Sequence, residues 1–317
     1  MKRSGIGRTI KQYMHPEHPV PRIALITAKA ARSLDDDLAP LVGALRACGT
    51  DVSIVDWDDD AIDWSAFDCA VLRSTWDYAE RADEFLGWCV RAAEATRLIN
   101  PLAVVRWNID KRYLADLEKA GVGIVPTKFV DAQVDATAAL ERIKTQASDG
   151  EFVIKPAIGA GSRETARYAQ DEAGPAMAHA RRLLAQRRSI LVQPYLRSID
   201  LEGETALIYF DGTFSHAIRK GPLLKSGAAP TDELFARETI EPRTPGTDEF
   251  ALGEAALAAL PFDRAPVYAR VDLVRDAQRI PRVLEVELIE PSLFFNFAER
   301  SAQRFAACIL DHSGVRS

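Results

Sequence analysis

The sequence predicts an α/β domain with a mostly parallel sheet, followed by a larger α+β region. Its length of 317 residues corresponds to roughly two domains. Residues 22–106 alternate short apolar runs with amphipathic helical patterns, as βαβ units do. The C-terminal two thirds carry two hairpin patterns, and the stronger one turns at Asp211-Gly212.

Composition narrows the class of protein further. Hydrophobic residues make up 47% and charged residues 27%, which is enough apolar material for a packed core. The net charge of −6 counts against nucleic acid as a partner, because general binding to phosphates needs a basic surface. No apolar run of about 18 residues is present, so we expect no membrane span. Four widely spaced cysteines without a C-x-x-C pair indicate buried free thiols in a reducing, cytoplasmic compartment.

The first domain is predicted over residues 22–106, after a loose N-terminal extension of residues 1–21. Strands are expected at 22–27, 51–55 and 69–73, and helices at 35–48 and 79–95. Ligands of parallel sheets bind beyond the carboxyl ends of the strands, so the segment after the third strand is a candidate substrate site. Its candidate residues are Arg73, Ser74, Trp76 and Asp77.

The second domain is predicted over residues 107–317, after a break at Asn100-Pro101. Helices are expected at 109–120, 248–259 and 296–310. Strands are expected at 151–156, 189–195, 204–210, 213–219, 267–274 and 283–289.

The last hairpin carries the most informative chemistry. Strand side chains alternate faces with a period of two, so Arg270 projects with Asp272, and Glu285 projects with Glu287. If both pairs share one face of the sheet, three carboxylates and a guanidinium converge, and a divalent cation can compensate the like charges. A solvated strand face with incidental salt bridges explains the same alternation, so the hairpin alone leaves both interpretations open.

A glycine-rich turn follows the apolar strand that ends at Lys155. Gly159 and Gly161 allow a tight turn that presents N–H groups to phosphate oxygens, and Ser162 adds a hydroxyl donor. The spacing is that of neither a Walker A loop nor a G-x-G-x-x-G motif. Taken alone, the segment also fits a flexible glycine turn, and Lys111 fits an ordinary surface lysine on a helix.

Together and in this order, these motifs resemble those of the ATP-grasp superfamily of carboxylate ligases. The resemblance covers about residues 100–310. It implies an ATP-grasp fold, in which a mostly parallel pre-ATP-grasp domain precedes two α+β subdomains that clasp ATP. We expect the subdomains at about 107–192 and 193–317.

The resemblance also implies how ATP is held. Two lysines and the glycine turn contact the phosphates, a hinge segment binds adenine, and a glutamate binds the ribose hydroxyls. The residues that match these positions are Lys111, Lys155, Gly159, Gly161, Ser162, Gln193, Pro194, Tyr195, Leu196 and Glu204.

For magnesium, the resemblance implies Asp272, Glu285 and Glu287 as ligands, with Arg270 on the transferred phosphoryl group. Many members carry asparagine at the position of Glu287, although another acidic oxygen also suits magnesium. Arg270, Lys155 and Lys220 are the catalytic candidates, and Lys220 and Ser292 join the substrate candidates named above.

A closer resemblance begins at about residue 22 and covers nearly the whole chain. The sequence segments 55–58, 110–117, 210–221 and 285–293 are similar to those of cyclo-ligases that act on O-ureido-serine in cycloserine biosynthesis, an antibiotic pathway. The glycine turn and residues 73–78 depart from that pattern, so a sister ligase with another substrate fits equally well.

These expectations describe an ADP-forming carboxylate–amine ligase with ATP and magnesium as cofactors and an amino-acid-like small molecule as substrate. An acyl phosphate would form first and then react with a nitrogen nucleophile. Ring closure within one substrate and the joining of two amino acids, as in glutathione or dipeptide synthesis, both remain open, as does a homo-oligomeric state. A non-catalytic nucleotide-binding protein is disfavoured, since it has less need of Arg270, Asp272, Glu285 and Glu287 together.

Overall fold

The computed structural model describes residues 20–131, 150–230 and 239–314, and most of the predicted extension 1–21 lies outside them. The first sheet is parallel, with the strand order β2-β1-β3-β4. Its strands are β1 (Arg22–Thr27), β2 (Asp51–Asp56), β3 (Cys69–Ser74) and β4 (Arg97–Ile99). The three predicted strands are confirmed, whereas β4 has only three residues and too short a pattern to recognise.

Helices cover both faces of this sheet, which explains why β1 is a continuous apolar run. Ile23 and Leu25 pack in one cluster with helix α1 (Leu38–Ala47), while Ala24 and Ile26 pack in another with helix α2 (Ala82–Ala95). Both helices begin three residues later than predicted. Turns precede α1, and a 3₁₀ helix over Trp76–Glu80 precedes α2.

The central sheet has five antiparallel strands in the order β11-β10-β9-β12-β13 and confirms both predicted hairpins. Its strands are β9 (Glu204–Phe210), β10 (Thr213–Lys220), β11 (Ile240–Pro242), β12 (Tyr268–Arg275) and β13 (Pro281–Glu287). Ile208 packs into the cluster around α1, and its neighbour Leu207 packs on the opposite face. The sheet is therefore covered on both sides.

The third sheet is antiparallel, with the order β5-β8-β6-β7, and helix α5 (Ala173–Ala185) packs on it. Its strands are β5 (Lys128–Val130), β6 (Phe152–Pro156), β7 (Ala166–Tyr168) and β8 (Ile190–Pro194). β6 and β8 were predicted, while β5, β7 and α5 were not.

The single helix predicted at 109–120 is wrong in extent. Two short helices, α3 (Leu102–Asn108) and α4 (Tyr113–Lys119), flank Lys111, whose backbone N–H donates to the carbonyl of Ala157 at 2.9 Å. The remaining helices are α6 (Ser198–Glu202), α7 (Thr247–Ala258) and α8 (Ser301–Ser313), the last of which follows a 3₁₀ turn over Phe295–Phe297.

Asn100, at the predicted break, is buried rather than part of an exposed linker. Its side chain donates to the carbonyls of Tyr268 and Leu288 at 2.9 and 2.8 Å and accepts from the N–H of Val267 at 2.7 Å. The joint between the parallel sheet and the central sheet is thus packed and hydrogen-bonded. The boundary at residue 106 remains a prediction.

Side chains form hydrogen bonds with the backbone groups along the outer edge of β13. Asn108 donates to the carbonyl of Val286 and accepts from the N–H of Leu288, both at 2.8 Å. The hydroxyl of Tyr113 accepts from the N–H of Val286 at 3.0 Å. These bonds satisfy backbone groups that an edge strand would otherwise leave unpaired.

The cysteines and the expected lack of a membrane span concern the chain as a whole. Cys69 and Cys89 are buried free thiols, but Cys48 is exposed just after α1, so the expectation of burial is wrong for that residue. No helix in the described part of the chain has the length and apolar character needed to cross a bilayer.

We expect Asn108→Ala to lower the free energy of unfolding by about 2–4 kcal/mol, because it leaves the carbonyl of Val286 and the N–H of Leu288 without partners. Denaturant titration measures the change. Asn296→Ala at an exposed position is the control and should change stability by less than about 0.5 kcal/mol. Equal stability of the two variants would show that Asn108 does not hold the strand edge.

Candidate active site

One cleft between the third sheet and the central sheet contains most of the predicted site residues. It encloses about 1480 Å³, part of it open to solvent. The predicted residues that line it are Trp76, Lys111, Lys155, Gly159, Gly161, Ser162, Gln193, Pro194, Tyr195, Leu196, Glu204, Lys220, Arg270, Asp272, Glu285, Glu287 and Ser292.

The register of β12 and β13 brings the four predicted charges together. Arg270 lies opposite Glu287, and Asp272 lies opposite Glu285. The Nε of Arg270 donates to Oδ1 of Asp272 at 2.8 Å, and its Nη2 donates to both Asp272 and Glu287. The two pairs therefore share one face, and that face lines the cleft.

Three buried lysines approach the same carboxylates from other elements. Nζ of Lys111, between α3 and α4, lies 2.9 Å from Oε1 of Glu285, and Nζ of Lys155 on β6 lies 3.9 Å from Oε2. Lys220, at the end of β10, lies 2.9 Å from both Asp272 and Glu204. Each of these carboxylates therefore has at least one cation beside it.

The pKa shifts follow from this balance of charges. Burial alone would raise the pKa of Asp272, but Arg270 and Lys220 outweigh burial and hold it well below its ordinary value. Burial likewise opposes ionisation of Glu285, and Lys111 with Lys155 lowers its pKa nevertheless. Both side chains are therefore ionised at neutral pH and hold negative charge in the cleft.

The three acids fit magnesium by their donor chemistry, because carboxylate oxygens are its preferred protein ligands. Within residues 20–131, 150–230 and 239–314, no three acidic, histidine or cysteine side chains form a ready-made metal-binding group. Asp272, Glu285 and Glu287 instead pair with lysine and arginine. To bind magnesium, these carboxylates would have to leave their present lysine and arginine partners.

The glycine turn is held from two sides. Nζ of Lys111 donates to the carbonyl of Gly159 at 2.7 Å, and Arg163 forms an ion pair with Glu80 of the parallel-sheet region at 2.9 Å. Gly161 has a φ of 60°, a left-handed conformation that glycine adopts without strain. The turn thus forms a wall of the cleft next to Lys111.

The hinge residues use their side chains to fix the local backbone. Nε2 of Gln193 donates to the hydroxyl of Thr127 at 2.9 Å, and the hydroxyl of Tyr195 donates to Asp200 at 2.6 Å. The guanidinium of Arg167 lies 3.5 Å from the centre of the Tyr195 ring. These contacts set the course of the chain along the cleft.

Three substrate candidates are not brought to the cleft. Arg73 is 1% exposed and donates to the carbonyl of Pro291 at 3.0 Å. Ser74 bonds to the hydroxyl of Thr27 at 2.8 Å, and Asp77 accepts from the indole of Trp57 at 2.8 Å. All three contact other parts of the protein and lie outside the cleft lining.

Sequence reasoning missed Glu290 as a cleft residue. It is 7% exposed and lines the cleft together with Tyr78. Burial, followed by the nearby charge of Glu287, raises the pKa of Glu290 to about 8. Burial also raises the pKa of Glu287, to about 7. The sequence signal that could have identified Glu290 was a third acid three residues after the end of β13.

Asp37 was also missed, because it lies far from the motifs in sequence. Its carboxylate accepts from the backbone N–H groups of Leu293, Phe294 and Phe295 at 2.5, 3.0 and 2.9 Å. It therefore fixes the segment after β13, in which Phe294 lines the cleft.

Comparison with known proteins shows similarity over nearly the whole chain. A family model described as the N-terminal domain of D-cycloserine synthetase DcsG matches residues 23–100. The cycloserine biosynthesis protein DcsG of Streptomyces lavendulae is 43% identical over 295 residues, which cover 91% of this chain and 98% of that protein. A crystal structure of D-cycloserine synthetase DcsG superposes with a TM-score of 0.85 at 42% identity, covering 92% of this chain and 99% of that chain.

A more distant structure shares the fold. The ATP-grasp ligase PsnB, solved with a minimal precursor, Mg and ADP, has a TM-score of 0.59 at 16% identity, covering 92% of this chain and 98% of that chain. This likeness confirms the predicted ATP-grasp fold.

The raised pKa of Glu290 predicts how stability depends on pH in the metal-free protein. The folded state keeps a proton on Glu290 between the ordinary carboxyl value of 4.5 and about 8, where the unfolded chain has lost it. Stability therefore falls as pH rises through this window. We expect Glu290→Gln, which cannot titrate, to lose about 3 kcal/mol less than wild type between roughly pH 5 and pH 8.

Denaturant titrations at several pH values, with a chelator present, measure this difference. The charged and titratable groups that influence Glu290 are Glu285, Glu287, Lys111 and Tyr78, and all of them remain in the variant. Glu299→Gln at an exposed position should follow the wild-type pH profile. Parallel profiles for wild type and Glu290→Gln would contradict the assigned shift.

Proposed function

Because the chain belongs to the D-cycloserine synthetase family of ATP-grasp ligases, we propose that it activates the carboxyl group of an amino-acid-like substrate as an acyl phosphate and joins it to nitrogen. The chain is an ATP-dependent ligase. The observation that carries the proposed mechanism is the cleft in which three lysines and Arg270 face Asp272, Glu285 and Glu287.

The ion pairs of the cleft match the charges of magnesium and ATP. Phosphate oxygens would replace the carboxylates beside Lys111, Lys155 and Lys220, and Asp272, Glu285 and Glu287 would then hold magnesium. Bound magnesium supplies positive charge to the phosphate oxygens. Because cations and carboxylates are already positioned, ligand binding exchanges partners and leaves few buried charges uncompensated.

Two negative groups must meet for the first step, the substrate carboxylate and the γ-phosphoryl group. Lys111 and Lys155 would reduce their repulsion, and Arg270 would stabilise the charge on the transferring phosphoryl group. The carboxylate oxygen bonds to the γ-phosphorus, and the bond from phosphorus to the ADP oxygen breaks. A nitrogen nucleophile then attacks the acyl carbon, loses its proton, and phosphate leaves.

Water must be kept from the acyl phosphate, which otherwise hydrolyses. The glycine turn serves this role in the proposal, since it forms a wall of the cleft and is tethered by Lys111 and by the Arg163–Glu80 ion pair. Ser162 and Gly161 offer polar groups to the phosphates from this wall.

O-ureido-serine, which closes to a ring through its own nitrogen, is the substrate we propose. The 43% identity to a cycloserine biosynthesis protein supports this choice. The departures in the glycine turn and in residues 73–78 leave intermolecular ligation as the second candidate. ADP release from O-ureido-serine without an added amine supports ring closure, whereas amine-dependent release supports intermolecular joining.

We also propose a cellular location and a binding partner for the protein. A cytoplasmic location agrees with free cysteines and with a need for ATP. The expected partner is a small amino-acid-like molecule that fits a cleft walled by Trp76, Tyr78 and Phe294.

We expect Asp272→Asn and Glu285→Gln each to lower ADP formation from O-ureido-serine by at least about 100-fold, since each removes a charge that holds magnesium. A coupled ADP assay measures the rate, and circular dichroism verifies the fold. Asp263→Asn, at an exposed position just before β12, is the matched control and should retain wild-type turnover. Wild-type turnover by either folded cleft variant would refute the metal assignment.

Lys155→Ala should weaken ATP binding about 30-fold, because mobile water cannot replace a fixed cation beside the phosphates. Isothermal calorimetry with a non-hydrolysable ATP analogue and magnesium measures the affinity. Lys119→Ala removes a lysine whose side chain is 78% exposed and should bind like wild type. Unchanged affinity in Lys155→Ala would remove this lysine from the nucleotide site.

A further inference from the structure

We propose that the carboxylate of Glu290, walled by Trp76 and Tyr78, binds the α-ammonium group of the amino-acid substrate. This subsite rests on the proposed function and specifies which group of the substrate the cleft recognises besides its carboxyl group. Glu290 would act in binding and orientation, without taking part in the transfer of the phosphoryl group.

Five carboxylates line the cleft in the described part of the chain, and four of them have cationic partners. Glu204 and Asp272 contact Lys220, Glu285 contacts Lys111, and Glu287 contacts Arg270. Glu290 forms no ion pair with any described lysine, arginine or histidine, although it is 7% exposed. Without a cationic partner, burial raises the pKa of Glu290 and leaves its carboxyl group protonated in the cleft, and a substrate ammonium would stabilise the carboxylate form.

The position of Glu290 suits an α-amino acid whose carboxyl group reacts near Arg270. Glu290 lies three residues after Glu287, which is paired with Arg270, and Nη1 of Arg270 donates to the carbonyl of Ser292 at 3.2 Å. Glu290 and Ser292 therefore belong to the short segment that passes the guanidinium. Because the ammonium and carboxyl groups of an α-amino acid share one carbon, a carboxyl group held at Arg270 brings the ammonium to this segment.

The walls of the subsite also favour an ammonium group. Tyr78 is 4% exposed, lines the cleft together with Glu290, and stacks on Phe85 with ring centres 5.0 Å apart. The indole N–H of Trp76 donates to the backbone carbonyl of Glu290 at 3.1 Å. Aromatic faces attract cations, and the exclusion of water strengthens the carboxylate–ammonium attraction.

The test compares O-ureido-serine with its desamino analogue, 3-(ureidooxy)propanoate, which keeps the carboxyl and ureido groups. We expect wild type to prefer the amino compound by about 30-fold or more in kcat/KM, measured by ADP release. Glu290→Gln should use O-ureido-serine about 30-fold less efficiently than wild type but the analogue equally well, so its preference nearly disappears.

Two further variants separate binding from general damage. Glu290→Asp keeps the charge and should retain part of the preference, with a lower kcat/KM for O-ureido-serine and an unchanged one for the analogue. Tyr78→Phe keeps the ring and should retain the preference. Thermal melting and ATP affinity verify each variant, and the wild-type comparison needs no variant at all.

Equal losses with both compounds in Glu290→Gln would assign Glu290 a structural or general-base role and overturn the subsite. Equal use of both compounds by wild type would overturn it as well. A failure of the proposed function looks different. Wild type would then release no ADP with O-ureido-serine, with or without added amines, and an ammonium subsite for that substrate would fall with it.

Discussion

Compensation of buried charge is the constraint on which the rest of this structure depends. Asp272 is 2% exposed and stays ionised because Arg270 and Lys220 lie within hydrogen-bond distance. Removing either cation leaves a buried negative charge that costs several kcal/mol. The cations come from β10 and β12, with Lys111 and Lys155 from outside the central sheet, so the cleft exists only when separate elements are correctly placed.

Strand β13, which carries Glu285 and Glu287, lies at the edge of the central sheet. No long strand pairs with its outer side among the described residues, so other contacts must hold it in place. Asn108 and Tyr113 satisfy its backbone groups, and Val283 exchanges two backbone hydrogen bonds of 2.9 Å with Gly123 and Val125. A slip of one residue would turn both glutamates away from the cleft, because strand side chains alternate faces. The hydrogen bonds at this edge therefore serve the site as much as the fold.

The parallel-sheet region contributes walls and tethers to the cleft. Trp76 and Tyr78 line it, Glu80 holds the glycine turn through Arg163, and Asp37 fixes the backbone after β13. Arg73 lies beneath this segment, bonded to Pro291 and 3.7 Å from Asp37. This region thus shapes the end of the cleft where Glu290 lies, which is the part that distinguishes one substrate from another in our proposal.

The sequence by itself determined the longer strands, both hairpins and the two pairs of charged side chains in the last hairpin, because alternation along a strand is a local property of the chain. Counting residues placed Arg270 with Asp272 and Glu285 with Glu287, and family motifs added Lys111 and Lys155. The register of β12 and β13 in the structure then brought the two pairs to one face. Only the tertiary structure decided that Arg73, Ser74 and Asp77 contact other parts of the protein and that Glu290 lines the cleft. The contacts that decide the places of Arg73 and Glu290 join residues more than 200 positions apart, Arg73 with Pro291 and Trp76 with Glu290. Burial and partner choice arise when distant elements pack, and no local pattern encodes which distant residue will be the neighbour.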